Sequence, residues 1–334
     1  MPNNSAPMIC DSSLPITPKE NWLRAIHREK PLWMPTYDEV QTFVPDVIPD
    51  NVVRGMIFEK NTRFPDQGGL DMFGIEWEYV PAVHGAMEKP GPRLFDDVNE
   101  WKEKVVFPDV DSWDWEGSAK RNEGWFDPNR IVQCWMYTNF FERLISFMGF
   151  EDALLAMIDE DQRDALVELM DKLADLDIDI IDHLTRYYPI DALYFHDDWG
   201  SQASTLFSYD ACHDVLLPPL KKVVDFAHSK GLYFEMHSCG KIQPFAPILI
   251  EAGVDVWCGQ PMNDKFALRE KYGDKLLIGI NPPESDVATA SSYADEILEK
   301  VKDDFQEKPM YYQVIMGDPA ITAHVREEFM KLYA

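Results

Sequence analysis

His237 and Cys239 stand two residues apart at the end of an apolar run, Gly231-Leu-Tyr-Phe-Glu-Met-His-Ser-Cys-Gly240. Imidazole nitrogen and thiolate sulfur are both good zinc ligands. A helix-like stretch over 218–230 stops at Gly231, and Leu232-Tyr233-Phe234 after it reads as a buried strand. Alternation along that strand turns Glu235, His237 and Cys239 to one face, and Met236 and Ser238 to the other. The pair offers half of a four-ligand site. A lone His-x-Cys is more often a core histidine beside an inert buried cysteine, so the company at neighbouring strand ends decides.

That company comes from the elements. From residue 160 onward, helix-like and strand-like pieces alternate. Helical patterns cover 161–186, 208–230, 242–252, 265–272 and 292–305, and strand patterns cover 191–198, 232–239, 254–258, 276–280 and 311–316. The cadence predicts parallel βα units without a domain break. The first half is less regular, with a helix start at Thr17-Pro18-Lys19-Glu20, strand-like 32–36, a hairpin around 75–80 and a further strand over 131–138. A closed TIM-type (β/α)8 barrel with an elaborated N-terminal segment fits best, as a single catalytic domain over 17–334 behind a loose arm at 1–16. A doubly wound open sheet is the alternative. Barrel chemistry sits at the C-terminal strand ends. Those ends read Tyr137/Thr138/Asn139, His196/Asp197/Asp198, His237/Cys239, Cys258/Gln260, Asn281 and Asp318, which is a concentration of polar, metal-capable groups where an enzyme needs them.

Composition narrows the partners. The 334 residues carry 59 Asp plus Glu against 31 Lys plus Arg, a net charge of -28. Such an acidic surface excludes nucleic acid and anionic membrane. No apolar window reaches membrane-spanning length, and 1–18 lacks the basic region and apolar run of a signal peptide. The five cysteines are scattered (10, 134, 212, 239 and 258) and do not read as a disulfide framework, which fits a cytoplasmic protein. Cys212-His213 falls in a helical pattern whose neighbours diverge by about 100°, so it is not a site. His196, facing opposite to Asp197, is expected to be structural.

Several stretches match one superfamily: Thr17-Pro-Lys-Glu-Asn-Trp-Leu23, Asp71-Met-Phe-Gly-Ile-Glu-Trp77, Asp197-Asp-Trp-Gly-Ser-Gln202, and the His-Ser-Cys run continuing into Ile250-Glu-Ala-Gly-Val-Asp255. Across roughly 17–334 the chain resembles the uroporphyrinogen decarboxylase superfamily, and within it the zinc- and corrinoid-dependent methyltransferases. The decarboxylases carry an early arginine-rich stretch for the substrate carboxylates, whereas here Lys30-Pro-Leu-Trp-Met-Pro-Thr-Tyr-Asp38 has no arginine. They also lack the His-x-Cys pair.

The resemblance implies a zinc ion at the barrel mouth, held by His237 and Cys239, and a cobalamin carried by a partner corrinoid protein, since no Asp-x-His-x-x-Gly motif occurs here. Relatives that methylate a thiol take a third ligand from a late cysteine. Alignment puts Asp318 in its place, with Cys258 and Glu235 as the other candidates. The expected reaction is demethylation of a methoxylated, aromatic compound with transfer of the methyl to the corrinoid protein. Methyl transfer from the corrinoid to a thiol, or a decarboxylase-like lyase, are the alternatives. Asp198 and Asp197 are the expected catalytic residues. Tyr137, Asn139, Gln260 and Asn281 are expected to bind substrate, and a homodimer is plausible for the family.

Overall fold

The computed structural model describes residues 14–61, 67–83, 85–314 and 317–334. Its strands are β1 (Val40–Phe43), β2 (Gly68–Leu70), β3 (Glu76–Val80), β4 (Gly85–Glu88), β5 (Ile131–Met136), β6 (Ala192–His196), β7 (Tyr233–His237), β8 (Val256–Trp257), β9 (Leu277–Ile280) and β10 (Met310–Tyr312). Seven of them form a curled parallel sheet in the order β1-β5-β6-β7-β8-β9-β10. Helices connect successive strands and cover its outer face, as in a TIM-type barrel.

The eighth stave departs from expectation. The segment 32–36 contributes one parallel bridge, Thr36 to Tyr312, in which the Tyr312 amide donates to Pro35 O over 2.8 Å. Pro31 and Pro35 lack the N–H that a ladder needs. Thr36 then caps a 3₁₀ turn, Tyr37–Glu39, with its own amide bound to the Glu39 carboxylate. The chain therefore closes the ring with a turn, and β1 starts only after it.

Alternation divides the core into two shells. Phe195, Phe234, Met236, Trp257 and Ile278 point outward under the helices, whereas Trp135, Tyr194, Val256, Leu277 and Tyr311 fill the barrel. The long helix Arg163–Tyr187 buries one stripe, including Leu166, Leu169, Met170, Leu173 and Ile180, at the spacing of an amphipathic helix. The predicted helix 208–230 is two, Tyr209–Val215 and Leu217–Ser229, separated just before Pro218-Pro219, where ring sterics break the run. A helix at Phe140–Met148 had no counterpart in the pattern reading.

Between β1 and β5 the chain builds a small antiparallel sheet, β2-β3-β4, where the sequence suggested one hairpin. Asp71 ties it to the barrel. Its carboxylate accepts from the Phe73 and Ile75 amides, Trp77 Nε1 and Arg143 Nη1. The strand predicted over 311–316 is ordered as Met310–Tyr312, and 315–316 lie outside the described residues, as do Cys10 and most of the expected arm. No helix among the described residues is long and apolar enough to cross a membrane.

Candidate metal centre

β6 and β7 lie side by side in parallel register, with His196 opposite His237. Two residues on, Asp198 and Cys239 emerge on the same side. The ligand atoms of His196, Asp198, His237 and Cys239 all lie within 4.8 Å of one another. Cys239 Sγ is 3.7 Å from His237 Nε2, and His196 Nε2 is 3.6 Å from Asp198 Oδ1. The imidazoles stack with centroids 5.1 Å apart, and Tyr194 stacks on the outer face of His237. Two imidazoles, a thiol and a carboxylate converging this way suit zinc by ligand type and number.

Each histidine is aimed by its far nitrogen, which leaves Nε2 toward the cluster. His237 Nδ1 donates to Cys258 O at 3.0 Å. His196 Nδ1 donates to Glu142 Oε2, also at 3.0 Å. Such outer partners fix the tautomer and ring plane of a metal-binding histidine. Glu142 comes from the first turn of the helix Phe140–Met148 and pairs on its other side with Arg54 at 3.2 Å. Burial pushes the Glu142 carboxyl up, but Arg54 and His196 outweigh it and bring it down to about 2. Burial alone would also lower His196, yet the Glu142 charge holds it well above the ordinary imidazole range. His237 falls to about 3, through burial first and then the neighbouring His196. Glu142 thus favours the charged form of His196, whereas burial favours the neutral form of His237.

The loops after β6 and β7 pass each other closely. A Cβ on Gly240, at φ +82°, would meet Gly200 C at 2.2 Å, and one on Gly200 would meet Cys239 O at 2.9 Å. Only glycine permits that approach at a left-handed backbone position. The Asp198 carboxylate accepts from the Cys239 amide at 2.6 Å and so locks the two ligand loops together.

Other expected site residues lie elsewhere. Asp318 is exposed and caps the helix Pro319–Tyr333 through the Ala320 amide, so its carboxylate is occupied and outside the cluster. Cys258 is fully buried, with its thiol on Asn281 Oδ1 and pushed up to about 12 by burial. Glu235 lies deeper in the barrel, where Gln133 donates to its carboxylate. None of these three joins His237 and Cys239 in the group of neighbouring donors, where His196 and Asp198 stand instead. Asp197 is wholly buried on the opposite face, accepting from the Phe141 and Glu142 amides and Trp199 Nε1. It anchors the helix that carries Glu142 and does not face the site. Asn139 spends its amide on Met136 O and His196 O, Gln260 binds the Gly240 amide, and Asn281 is held by Gln313. These three brace strand ends. Tyr137 packs on His196, and its buried hydroxyl has no hydrogen-bond partner among the described residues.

Pattern reading missed Glu142, and it assigned His196 to structure. The second had a signal in the sequence, because His196-x-Asp198 and His237-x-Cys239 repeat the same ligand spacing, with a glycine within two residues after each. Beside the cluster opens a cleft of about 390 Å³, bounded by Asp198, Gly200 and Leu206 on one side and Trp77, Met87 and Glu88 of the small sheet on the other.

No family model matches the chain, and no curated protein matches it. Among solved structures, a methyltransferase from Methanosarcina mazei aligns over 96% of this chain and 100% of its own, with a TM-score of 0.67 and 14% identity. At that identity the likeness bears on the fold, and it supports the TIM-type barrel. A TcOYE structure with pHBA aligns over 87% of this chain and 88% of its own, with a TM-score of 0.39 and 9% identity. At that score it carries no argument.

Proposed function

We propose that this chain is a zinc-dependent methyltransferase that removes a methyl group from a methoxylated compound and hands it to a corrinoid protein. The observation that carries the proposal is the His196, Asp198, His237 and Cys239 cluster, four mixed donors within 4.8 Å at the strand ends of a barrel. These residues would hold the ion. A zinc ion bound there with a position open to substrate would supply Lewis acidity, which eases departure of an ether oxygen, a poor leaving group.

The chain's own residues do the rest. Glu142 and Cys258 O orient the two imidazoles, and the Asp198 bond to the Cys239 amide fixes the spacing of the loops. One thiolate among four ligands leaves more positive charge on the ion than two thiolates would, which favours ether activation over release of a bound thiolate. The adjoining cleft has room for a ligand of aromatic size beside the cluster. Its apolar wall (Trp77, Met87, Ile145, Phe150 and Leu206) would keep water from the reacting carbon.

The test is elemental analysis of the wild type beside Cys239→Ser, followed by a demethylation assay with methoxylated aromatics and a reduced corrinoid protein. One zinc per chain, lost in the variant together with demethylation, is expected. A metal-free wild type prepared without chelator would overturn the reading.

A further inference from the structure

The cleft beside the cluster is unevenly charged. Its lining includes three carboxylates, Glu88, Glu142 and Asp198, and one cation, Arg54. That cation is already engaged. Arg54 donates to Thr138 Oγ1 through Nε and Nη2 at 3.0 and 2.8 Å, pairs with Glu142 at 3.2 Å, and lies over the Trp77 ring at 4.6 Å. Glu142 is in turn shared with His196, and Asp198 faces the cluster. Glu88 is the one left over. It ends β4 on the cleft wall and has no ion-pair partner among the described residues, Arg54 attracting it only from beyond ion-pair distance. Half of the lining is apolar side chain: Trp77, Ala86 and Met87 of the small sheet with Ile145, Phe150 and Leu206.

A carboxylated ligand entering here would find no free cation and would face an unpaired, partly desolvated carboxylate. Like charges so placed repel. A ligand with an apolar body and a positive group would bury its body against Trp77 and Leu206 and give Glu88 its missing partner, as a charge-assisted hydrogen bond if the group carries N–H. We propose that the cleft selects methyl donors with an apolar, aromatic-sized body bearing an amine cation and rejects carboxylated ones, with Glu88 as the residue that decides. The proposal rests on the cleft being the donor's place in the function above.

Binding can be read without turnover. Calorimetric titration of the zinc-loaded protein with 4-methoxybenzylamine, 4-methoxybenzyl alcohol and 4-methoxybenzoate compares one ring carrying a cation, a neutral group or an anion. The amine is expected to bind about tenfold tighter than the alcohol, and the benzoate about tenfold weaker. Glu88→Gln should collapse the amine's advantage while leaving the alcohol's affinity within about twofold, which also reports that the cleft is intact. A benzoate that binds as well as the amine, or an amine preference that survives Glu88→Gln, would overturn the inference. Failure of the methyl-transfer reading shows separately, because these affinities need no corrinoid protein. A clear charge order with no demethylation of any of the three would sink the function and leave the cleft's selectivity standing.

Discussion

Glu142 shows how one carboxylate can serve two neighbours. It holds Arg54 on the cleft side and His196 on the cluster side, so His196 depends on a residue that would not itself touch the metal. Glu142→Gln should keep the fold, because Arg54 retains Thr138 and Trp77, yet weaken zinc binding by about 10- to 100-fold. Competition with a chromogenic chelator measures this, and an unchanged affinity would remove Glu142 from the site. Asp177 offers a second test at the same scale. It lines a cavity of about 30 Å³ with Arg143, whose guanidinium is already taken by Asp50 and Asp71. Burial holds the Asp177 carboxyl well above its usual range. The folded state therefore binds this proton more tightly than the unfolded state does, and stability falls as pH rises above the unfolded carboxylate value of about 3.9. Asp177→Asn removes that proton linkage, so urea midpoints taken from pH 5 to pH 8 should fall less steeply in the variant than in the wild type.

Among the elements, the small antiparallel sheet is the one the cleft depends on, and its attachment is concentrated in Asp71. That carboxylate and Asp50 are both buried against Arg143, while Trp77, which forms part of the cleft wall, hangs from Asp71 by its indole nitrogen at 3.0 Å. Removing one partner of a buried ion pair leaves charge without compensation. Asp71→Ala should destabilise by about 3–5 kcal/mol and loosen β3, which denaturant unfolding and Trp77 fluorescence would report. A loss below about 1 kcal/mol would mean that the apolar contacts of the sheet hold it without this network. The barrel strands themselves should be little affected, because their ladders run elsewhere.

Across the whole molecule, the barrel carries a net charge of -28, and the ion pairs on its surface each contribute little. Self-repulsion of like charge is then the larger long-range effect, and salt screens it over a Debye length of about 10 Å at 0.1 M. Raising NaCl from about 10 mM to about 300 mM should increase the urea midpoint of the protein. A lower midpoint in salt would mean that the surface pairs outweigh the repulsion.

The sequence by itself determined the alternating elements from residue 160 onward, because helical and strand periods are written in consecutive residues, and it determined His237 and Cys239 as one face of one strand for the same reason. It also placed Asp198 and His196 at a strand end. Local periodicity carries no register between strands, so only the folded sheet set His196 against His237 and completed the cluster. Alignment pointed to Asp318 as a further ligand, but capping a helix is a local use of the same carboxylate, and the structure gives Asp318 that role. Glu142 was illegible because its function depends on a helix packed across the barrel mouth, fifty-four residues away in sequence from the histidine it orients. The cleft depends likewise on a small sheet folding back over strands far from it in the chain. Sequence order specifies which groups a chain has at each strand end, and the tertiary structure decides which of those groups meet.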